Sequence, residues 1–391
     1  MSSLDFRIPT PEERDTYGEI VARSFGFDPG DALPWVRGFG SENTRVLVED
    51  GRVLGGLVVY RAGQWFGGRR VPMLGVAGVA IDPPFRGRGH ATTLMREAVR
   101  AFAEEGFPIA TLYPATQGIY RRAGFEQAGS RFEIRVPLSR CVFRERELVV
   151  RPEALEDRRA IEELHRRHGA RYPGTLDRSE PLWARIRHPR RLPPHRGYLL
   201  EGPDGVEGYC FAASRPHSNH RLELHVSDYV VETERAARTL LAFFGAHASL
   251  ADEVVWYGSA SDPLLALLPE QRGRVTLLDV WMLRILDLRR ALEGRGYPEA
   301  FSARLELEVH DDCIAANSGR FVLDVSGGKA EVRSGGSGRL RLHVRGLAAL
   351  YTGFLSHVHL ALLRLAEGDP RDLALAGVLF AGPPPAMPEI F

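Results

Sequence analysis

The sequence predicts an α+β protein of mixed sheets flanked by helices, laid out as two similar units in tandem and a third unit with a pattern of its own. Three observations carry that prediction. A chain of 391 residues exceeds one ordinary domain, because about 150 residues per domain gives between two and three. Twice along the chain, a run of strands punctuated by turns passes into an amphipathic helix and then a short apolar strand. Beyond Leu286 the pattern becomes alternation of apolar and polar residues between glycine-rich turns.

Within the first unit (1–145), residues Arg45 to Ile81 read as an antiparallel meander: Val46-Leu47-Val48, a Glu-Asp-Gly turn, Val53 to Tyr60, a Gly67-Gly68 turn, then Val71 to Ile81. After Pro83-Pro84, Ala91, Leu94, Met95, Ala98, Val99 and Phe102 recur at helical spacing up to a stop at Gly106. Pro108 to Tyr113 is a short strand, and Gln117 to Phe125 a short helix ending at Gly124. The second unit (146–285) holds helices Arg158 to His168 and Pro181 to His188, then strands Gly197 to Leu200, Gly208 to Ala213 and Leu222 to Val226. A helix Glu232 to His247 and a strand Glu253 to Trp256 complete it. Helices, meander, strand, helix, strand repeats the first plan, so the second unit reads as a degenerate internal duplication. In the third unit (286–391), Leu305, Leu307 and Val309 alternate, as do Phe321, Leu323 and Val325, and Leu340, Leu342 and Val344. One apolar helix, Gly346 to Glu367, is expected to cover that sheet. The run Pro383 to Pro388 predicts an extended, semi-rigid arm rather than a packed element.

Composition excludes several classes. A chain 44% hydrophobic and 26% charged is neither disordered nor collagenous. With 51 Lys+Arg against 50 Asp+Glu, no global field recruits nucleic acid or anionic lipid. Gly346 to Leu363 has membrane length without Asp, Glu, Lys or Arg, yet carries Thr352, Ser356, His357 and His359, so a buried helix is expected there. Cys141, Cys210 and Cys313 are odd in number and lack CxxC spacing, and Met1 to Asp15 has no signal-peptide pattern; both point to reduced thiols in the cytoplasm. The pairs His165/His168, His220/His225 and His357/His359 lack Cys partners or an HExxH pattern, so no metal is expected.

The stretch Val79-Ala80-Ile81-Asp82-Pro83-Pro84-Phe85-Arg86-Gly87-Arg88-Gly89-His90-Ala91 sets a glycine-rich turn between a strand and an amphipathic helix. Successive backbone N–H groups and the helix N-terminus converge there, a geometry that favours an anion, and Arg86 and Arg88 add charge. A P-loop would need Lys-Ser/Thr after Gly89, where His90-Ala91 stands; G-x-G-x-x-G fails at Thr92. What remains is Q/R-x-x-G-x-G/A, met by Arg86, Gly89 and Ala91. On these residues, 1 to about 140 resemble the GNAT family of N-acetyltransferases, in which the equivalent loop holds the pyrophosphate of acetyl-CoA. The second unit's counterpart, Val226 to Glu234, has no glycine and three acids, so one cofactor site per chain is expected.

Acetyl transfer to an amine needs a polarised thioester carbonyl, a neutral amine and a proton for the departing thiolate. A backbone N–H near Gly78 to Ile81 is suited to the first. Arg70 to Ile81 contains no Asp or Glu, so a base on that strand is absent. Tyr120 stands where GNAT enzymes commonly place a tyrosine over the sulfur. The stretches Leu278 to Asp287 and Leu347 to Gly353, with the aromatic Phe391 after a proline-rich arm, resemble the enhanced intracellular survival (Eis) acetyltransferases: tandem GNAT-like domains followed by a sterol-carrier-like α+β domain. That resemblance implies a hexamer, a catalytic role for the α-carboxylate of Phe391 opposite Tyr120, and an amine pocket lined by Asp28 and Trp35, with Glu389 adding a second negative charge. The activity so implied is acetylation of primary amines on cationic small molecules such as aminoglycosides or polyamines. Lysine acetylation, or a lipid-binding module with a vestigial CoA fold, are the alternatives.

Overall fold

The computed structural model describes residues 4–144, 147–190, 192–217, 220–270 and 273–391. Packing divides the chain into two compact units: Met1–Ala128 with Trp281–Ala381 and Phe391, and Gly129–Val280 with Gly382–Ile390.

The first unit opens with β1 (Leu4–Arg7), α1 (Pro11–Phe25), α2 (Pro29–Arg37), β2 (Thr44–Glu49), β3 (Arg52–Phe66), β4 (Arg69–Ile81), α3 (His90–Glu104), β5 (Ile109–Leu112) and α4 (Gln117–Arg121), before β6 (Glu126–Pro137). Local chemistry sets these boundaries. Helix α1 starts on a capping box: the Glu13 amide donates to Thr10 Oγ1 at 3.3 Å and the Thr10 amide to the Glu13 carboxylate at 2.9 Å. It ends at Gly26, which adopts φ 65°. Strands β3 and β4 form a hairpin turning on Gly67 and Gly68, both at positive φ. The apolar stripe Leu94, Met95, Ala98, Val99 and Phe102 of α3 is fully buried against Leu47, Leu57, Val59, Leu74 and Val76. Each large side chain so buried stabilises the fold by about 1.5–3 kcal/mol.

Two features of β4 position the site. Gly56 opposes Ala80 while Val58 opposes Ala77, so Gly78 and Val79 face Leu57 alone and β4 carries a bulge, with Gly78 at φ 63°. Its parallel ladder with β5 covers only Met73–Val76 against Ile109–Leu112. The last five residues of β4 thus leave β5 behind.

The second unit contains β7 (Val149–Pro152), α5 (Arg158–Arg171), β8 (Leu176–Asp177), α6 (Glu180–Arg187), β9 (Arg196–Gly202), β10 (Gly205–Pro216), β11 (Leu222–Val231), α7 (Glu234–Gly245), β12 (Ala251–Gly258) and α8 (Pro263–Leu267), and most of β13 (Arg274–Ile285). Its sheet runs β6-β12-β11-β10-β9-β7, with β11 and β12 parallel. The proline-rich tail, expected as an extended, semi-rigid arm rather than a packed element, is packed: the Ser130 amide donates to Pro385 O at 3.1 Å, Ala386 N to Pro173 O at 3.1 Å and Arg131 Nε to Pro388 O at 2.7 Å, while Met387 is fully buried. Proline removes donors but leaves carbonyls, so Pro385 and Pro388 accept through theirs while the intervening Ala386 and Met387 donate their amides.

The chain re-enters the first unit through Met282–Ile285 of β13, antiparallel to β5. There follow α9 (Leu288–Gly294), β14 (Ala303–His310), β15 (Gly319–Ser326), β16 (Lys329–Ser334), β17 (Leu340–His343), α10 (Val344–Thr352), α11 (His357–Leu362), β18 (Ala366–Glu367) and α12 (Pro370–Leu379). A five-stranded sheet runs β16-β15-β14-β17-β18. The single helix expected over Gly346 to Glu367 is broken: Gly353 takes φ 77° and caps α10, Ser356 caps α11, and residues 366–367 form a strand. No helix among the described residues is long and apolar enough to cross a membrane.

Candidate active site

Between β4 and α3 the chain builds an anion cradle out of backbone. Gly87 and Gly89 adopt φ 78° and 88°, and a Cβ at either would meet nothing within 4 Å, so the glycines are required by conformation rather than by crowding. Gly89 caps α3 without a side-chain acceptor, leaving the amides of His90 and Ala91 open while those of Thr92 and Thr93 donate to Gly89 O at 2.9 and 3.1 Å. They face a cavity of about 930 Å³ walled by Val79, Ala80, Ile81, Ala115, Thr116 and Tyr120, among others. Arg86, Arg96 and Arg122 also line it, and none of the described residues around it is acidic. Arg86 serves the loop itself, donating from Nε to Ile81 O and from Nη2 to Ser24 Oγ, each at 2.9 Å. Arg88 lies over the Phe85 ring at 5.8 Å.

Tyr120, in the one-turn helix α4, is buried against Phe125 with ring centroids 6.2 Å apart. Burial pushes its phenol up to about 12, and no arginine offsets that. At the bulge, Tyr17 Oη donates to Gly78 O at 2.6 Å. A Cβ on Gly78 would stand 2.9 Å from both Tyr17 Oη and Trp35 Cη2, so only glycine admits these two rings.

From Trp35 a chain of aromatic contacts runs through Phe39 (5.2 Å), Tyr60 (4.7 Å from Phe39) and Phe391 (5.6 Å from Tyr60) to Tyr113 (5.9 Å from Phe391). Phe391 rests on Gly75 of β4, where a Cβ would lie 2.8 Å from its ring. The two acids suggested for the amine pocket have structural duties. Asp28 Oδ1 caps α2, accepting from Gly30 N at 2.7 Å. Glu389 belongs to the second unit, paired with Arg178. Sequence reasoning missed Tyr17, Phe39, Tyr60 and Tyr113: Tyr17 is on α1 and Tyr60 on β3, Phe39 follows α2 and Tyr113 follows β5, and no local pattern marks them.

In the second unit, Thr233 Oγ1 accepts from Ala236 N at 3.1 Å and so fills the N-terminus of α7, the counterpart of α3. Among the described residues, no group of His, Cys, Asp and Glu could hold a metal ion. His165 donates from Nε2 to Leu176 O at 2.8 Å, and His225 shares a hydrogen bond with His195 at 2.7 Å.

A splayed parallel pair, a bulged strand and a backbone cradle at a helix N-terminus define an acyltransferase fold whose donor is an acyl-CoA, and the acid-free arginine-lined cavity fits that donor. Models of the acetyltransferase (GNAT) domain match residues 5–128 and 174–285, and a sterol carrier protein domain matches 288–388. The crystal structure of a GCN5-related N-acetyltransferase from Anabaena variabilis is similar at TM-score 0.95 and 36% identity, covering 100% of both chains. A second, from Kribbella flavida, gives 0.88 and 31% over 100% of this chain and 99% of that one. N-acetyltransferase Eis of Mycobacterium tuberculosis is 29% identical over 277 residues, 66% of this chain and 65% of that protein. The chain belongs to the GCN5-related N-acetyltransferase family. Its arrangement is Eis-like, two GNAT domains followed by a sterol-carrier-like domain.

Proposed function

We propose that the donor is acetyl-CoA and that the acceptors are primary amines of cationic small molecules, aminoglycoside-like or polyamine-like, which attack the thioester directly. The supporting observation is the pairing of an acid-free, arginine-lined cavity at Tyr120 with the aromatic wall that Trp35 begins at Gly78. Amides of Gly87 to Ala91 would hold the pyrophosphate. The donor supplies the thioester carbonyl, and backbone around Val79 to Ile81 faces it. The Tyr17 hydroxyl ties up the Gly78 carbonyl and so fixes the bulge. Aromatic faces attract an ammonium by about 0.5–2 kcal/mol each, so Trp35, Phe39, Tyr60 and Tyr113 recognise a cation without needing an acid. Asp28 Oδ2, free of the capping bond, adds a charge. Phe391 anchors the acceptor through its ring, and the α-carboxylate that the family resemblance assigns to it would orient the ammonium while a proton leaves to water.

Tyr120 holds its proton until late. Donation from a phenol near pKa 12 to a thiolate near ~8.5 is uphill by ~5 kcal/mol if the two ions form separately. Proton transfer therefore accompanies C–S cleavage. A hexameric, cytoplasmic enzyme completes the proposal, the location resting on three unpaired cysteines. Light scattering tests the assembly. Measuring CoA release across diamines, aminoglycosides and neutral arylamines tests the chemistry: turnover should favour the cationic amines. Silence with every amine, despite bound acetyl-CoA, would overturn it.

A further inference from the structure

The second unit keeps the splay of a GNAT fold while losing its phosphate cradle. Ala212 opposes Val226 and Phe211 opposes Asp228, so β11 bulges at Ser227 as β4 does at Gly78. The parallel β11–β12 ladder stops at His225 against Val255. Beyond it lies a cavity of about 140 Å³, bordered by Arg178, Asp228, Tyr229, Gly258, Asp262 and His168, with prolines of the packed tail as one wall. That is room for about five water-sized volumes.

We propose that this cavity binds a small primary alkylammonium ion of four or so non-hydrogen atoms, held by Asp262 and His168. Charge is the first argument. Arg178 is saturated by two carboxylates: Asp228, in a bidentate pair at 2.6 and 2.9 Å, and Glu389. Asp262 has only neutral donors. Tyr229 Oη donates at 2.8 Å, Trp256 Nε1 at 3.1 Å and Leu264 N at 3.0 Å, and no cation pairs with it among the described residues. A carboxylate buried without a cation keeps a large desolvation cost that a bound ammonium would offset. Consistent with this, burial pushes Asp262 up to about 6.

Access is the second argument. A Cβ at Gly258 would stand 2.9 Å from Asp262 Oδ2, so glycine leaves space beside that oxygen, which accepts from Tyr229 Oη at 2.8 Å and Trp256 Nε1 at 3.1 Å; Gly258 and Asp262 both border the cavity. His168 stacks on Tyr172 at 4.4 Å, makes no hydrogen bond to a described residue, and is kept neutral by burial, with its pKa pushed down to about 4. A neutral imidazole nitrogen accepts an N–H. The rings of Tyr172 and Tyr257 and the tail prolines offer the alkyl body an apolar wall. Phosphate is disfavoured here by the same carboxylates that favour a cation.

The test is thermal melting of the full chain in n-propylammonium chloride, against equal sodium chloride and against n-propanol. Wild type should gain about 2 °C or more at saturation. Asp262→Asn, and separately His168→Phe, should lose at least half of that gain, while the acetyl-transfer rate of the first unit stays within twofold. His168→Phe leaves the Asp262 cap intact, so a misfolded Asp262→Asn does not blunt the experiment. The same gain in both variants, or an equal gain with n-propanol, would overturn the proposal. The acceptor site in the first unit is separate: failure of every amine to turn over, with the Asp262-dependent gain intact, would sink that reading and leave this one standing.

Discussion

As the proposed acid, the phenol of Tyr120 is pulled in two directions: that role wants a proton it can release, and burial makes release harder. With its pKa near 12, Tyr120 stays protonated over the whole range in which an amine acceptor becomes neutral. The rate should therefore rise with pH as the acceptor deprotonates and should not fall again below about pH 10; a descending limb near neutrality would assign the acid role to another group. Tyr120→Phe should lower kcat by roughly 10²–10⁴-fold, the usual worth of a positioned acid, and leave acetyl-CoA affinity within a few-fold. Equal losses in both would mark the ring as structural. Gly89 poses the opposite case, since a Cβ there has space but the wrong backbone, φ 88°. Forcing alanine into the left-handed region costs about 1–2 kcal/mol. Gly89→Ala should weaken acetyl-CoA binding roughly tenfold by calorimetry and lower the melting temperature by only a few degrees.

One turn of helix is too short to hold Tyr120 by itself, so α4 depends on neighbours. The Glu126 carboxylate accepts from Arg121 Nη2 at 2.7 Å and from Arg345 Nε at 2.9 Å, joining α4, the start of β6 and α10. Burial raises this carboxyl, but Arg121, the Gln127 amide and Arg345 together lower it further, and the net pKa lies below the usual value. The sign follows: the unfolded chain protonates first, so this stabilisation is complete above about pH 4.5 and fades as pH falls through the folded value. Both arginines are partly solvent-exposed, so Glu126→Gln should cost only about 1–3 kcal/mol in denaturant titration at pH 7 and flatten the loss of stability below pH 4.5. An unchanged acid profile would mean other carboxylates dominate. Such ties are illegible in sequence, since residues 121, 126 and 345 share no period. Legible elements announce themselves locally: the α3 stripe, the Gly67-Gly68 hairpin, the Arg86 to Ala91 turn. Where composition runs on past a break, as from Leu347 to Leu363, the stop rests on Gly353 and the Ser356 cap alone. The aromatic wall depends on register between distant elements, which periodicity does not encode.

At the scale of the molecule, the first unit is discontinuous, and that fixes what can fold alone. Its strand β5 is completed by Met282–Ile285 of β13. Arg284, fully buried, reaches both oxygens of Asp311 at 2.7 Å and lies against Gly124, where a Cβ would come within 2.8 Å of its guanidinium. Phe391 covers Gly75. A fragment 1–145 keeps the whole cradle sequence yet lacks every one of these partners, leaving the β5 edge unpaired and apolar core exposed. We expect that fragment to show no cooperative melt and no saturable acetyl-CoA binding. In the full chain, Asp311→Ala strands a buried guanidinium and should cost about 3–5 kcal/mol, read as a lowered denaturation midpoint with retained cofactor binding at low temperature. A fragment 1–145 that melts cooperatively and binds acetyl-CoA like the parent would show that the C-terminal residues decorate the first unit rather than complete it.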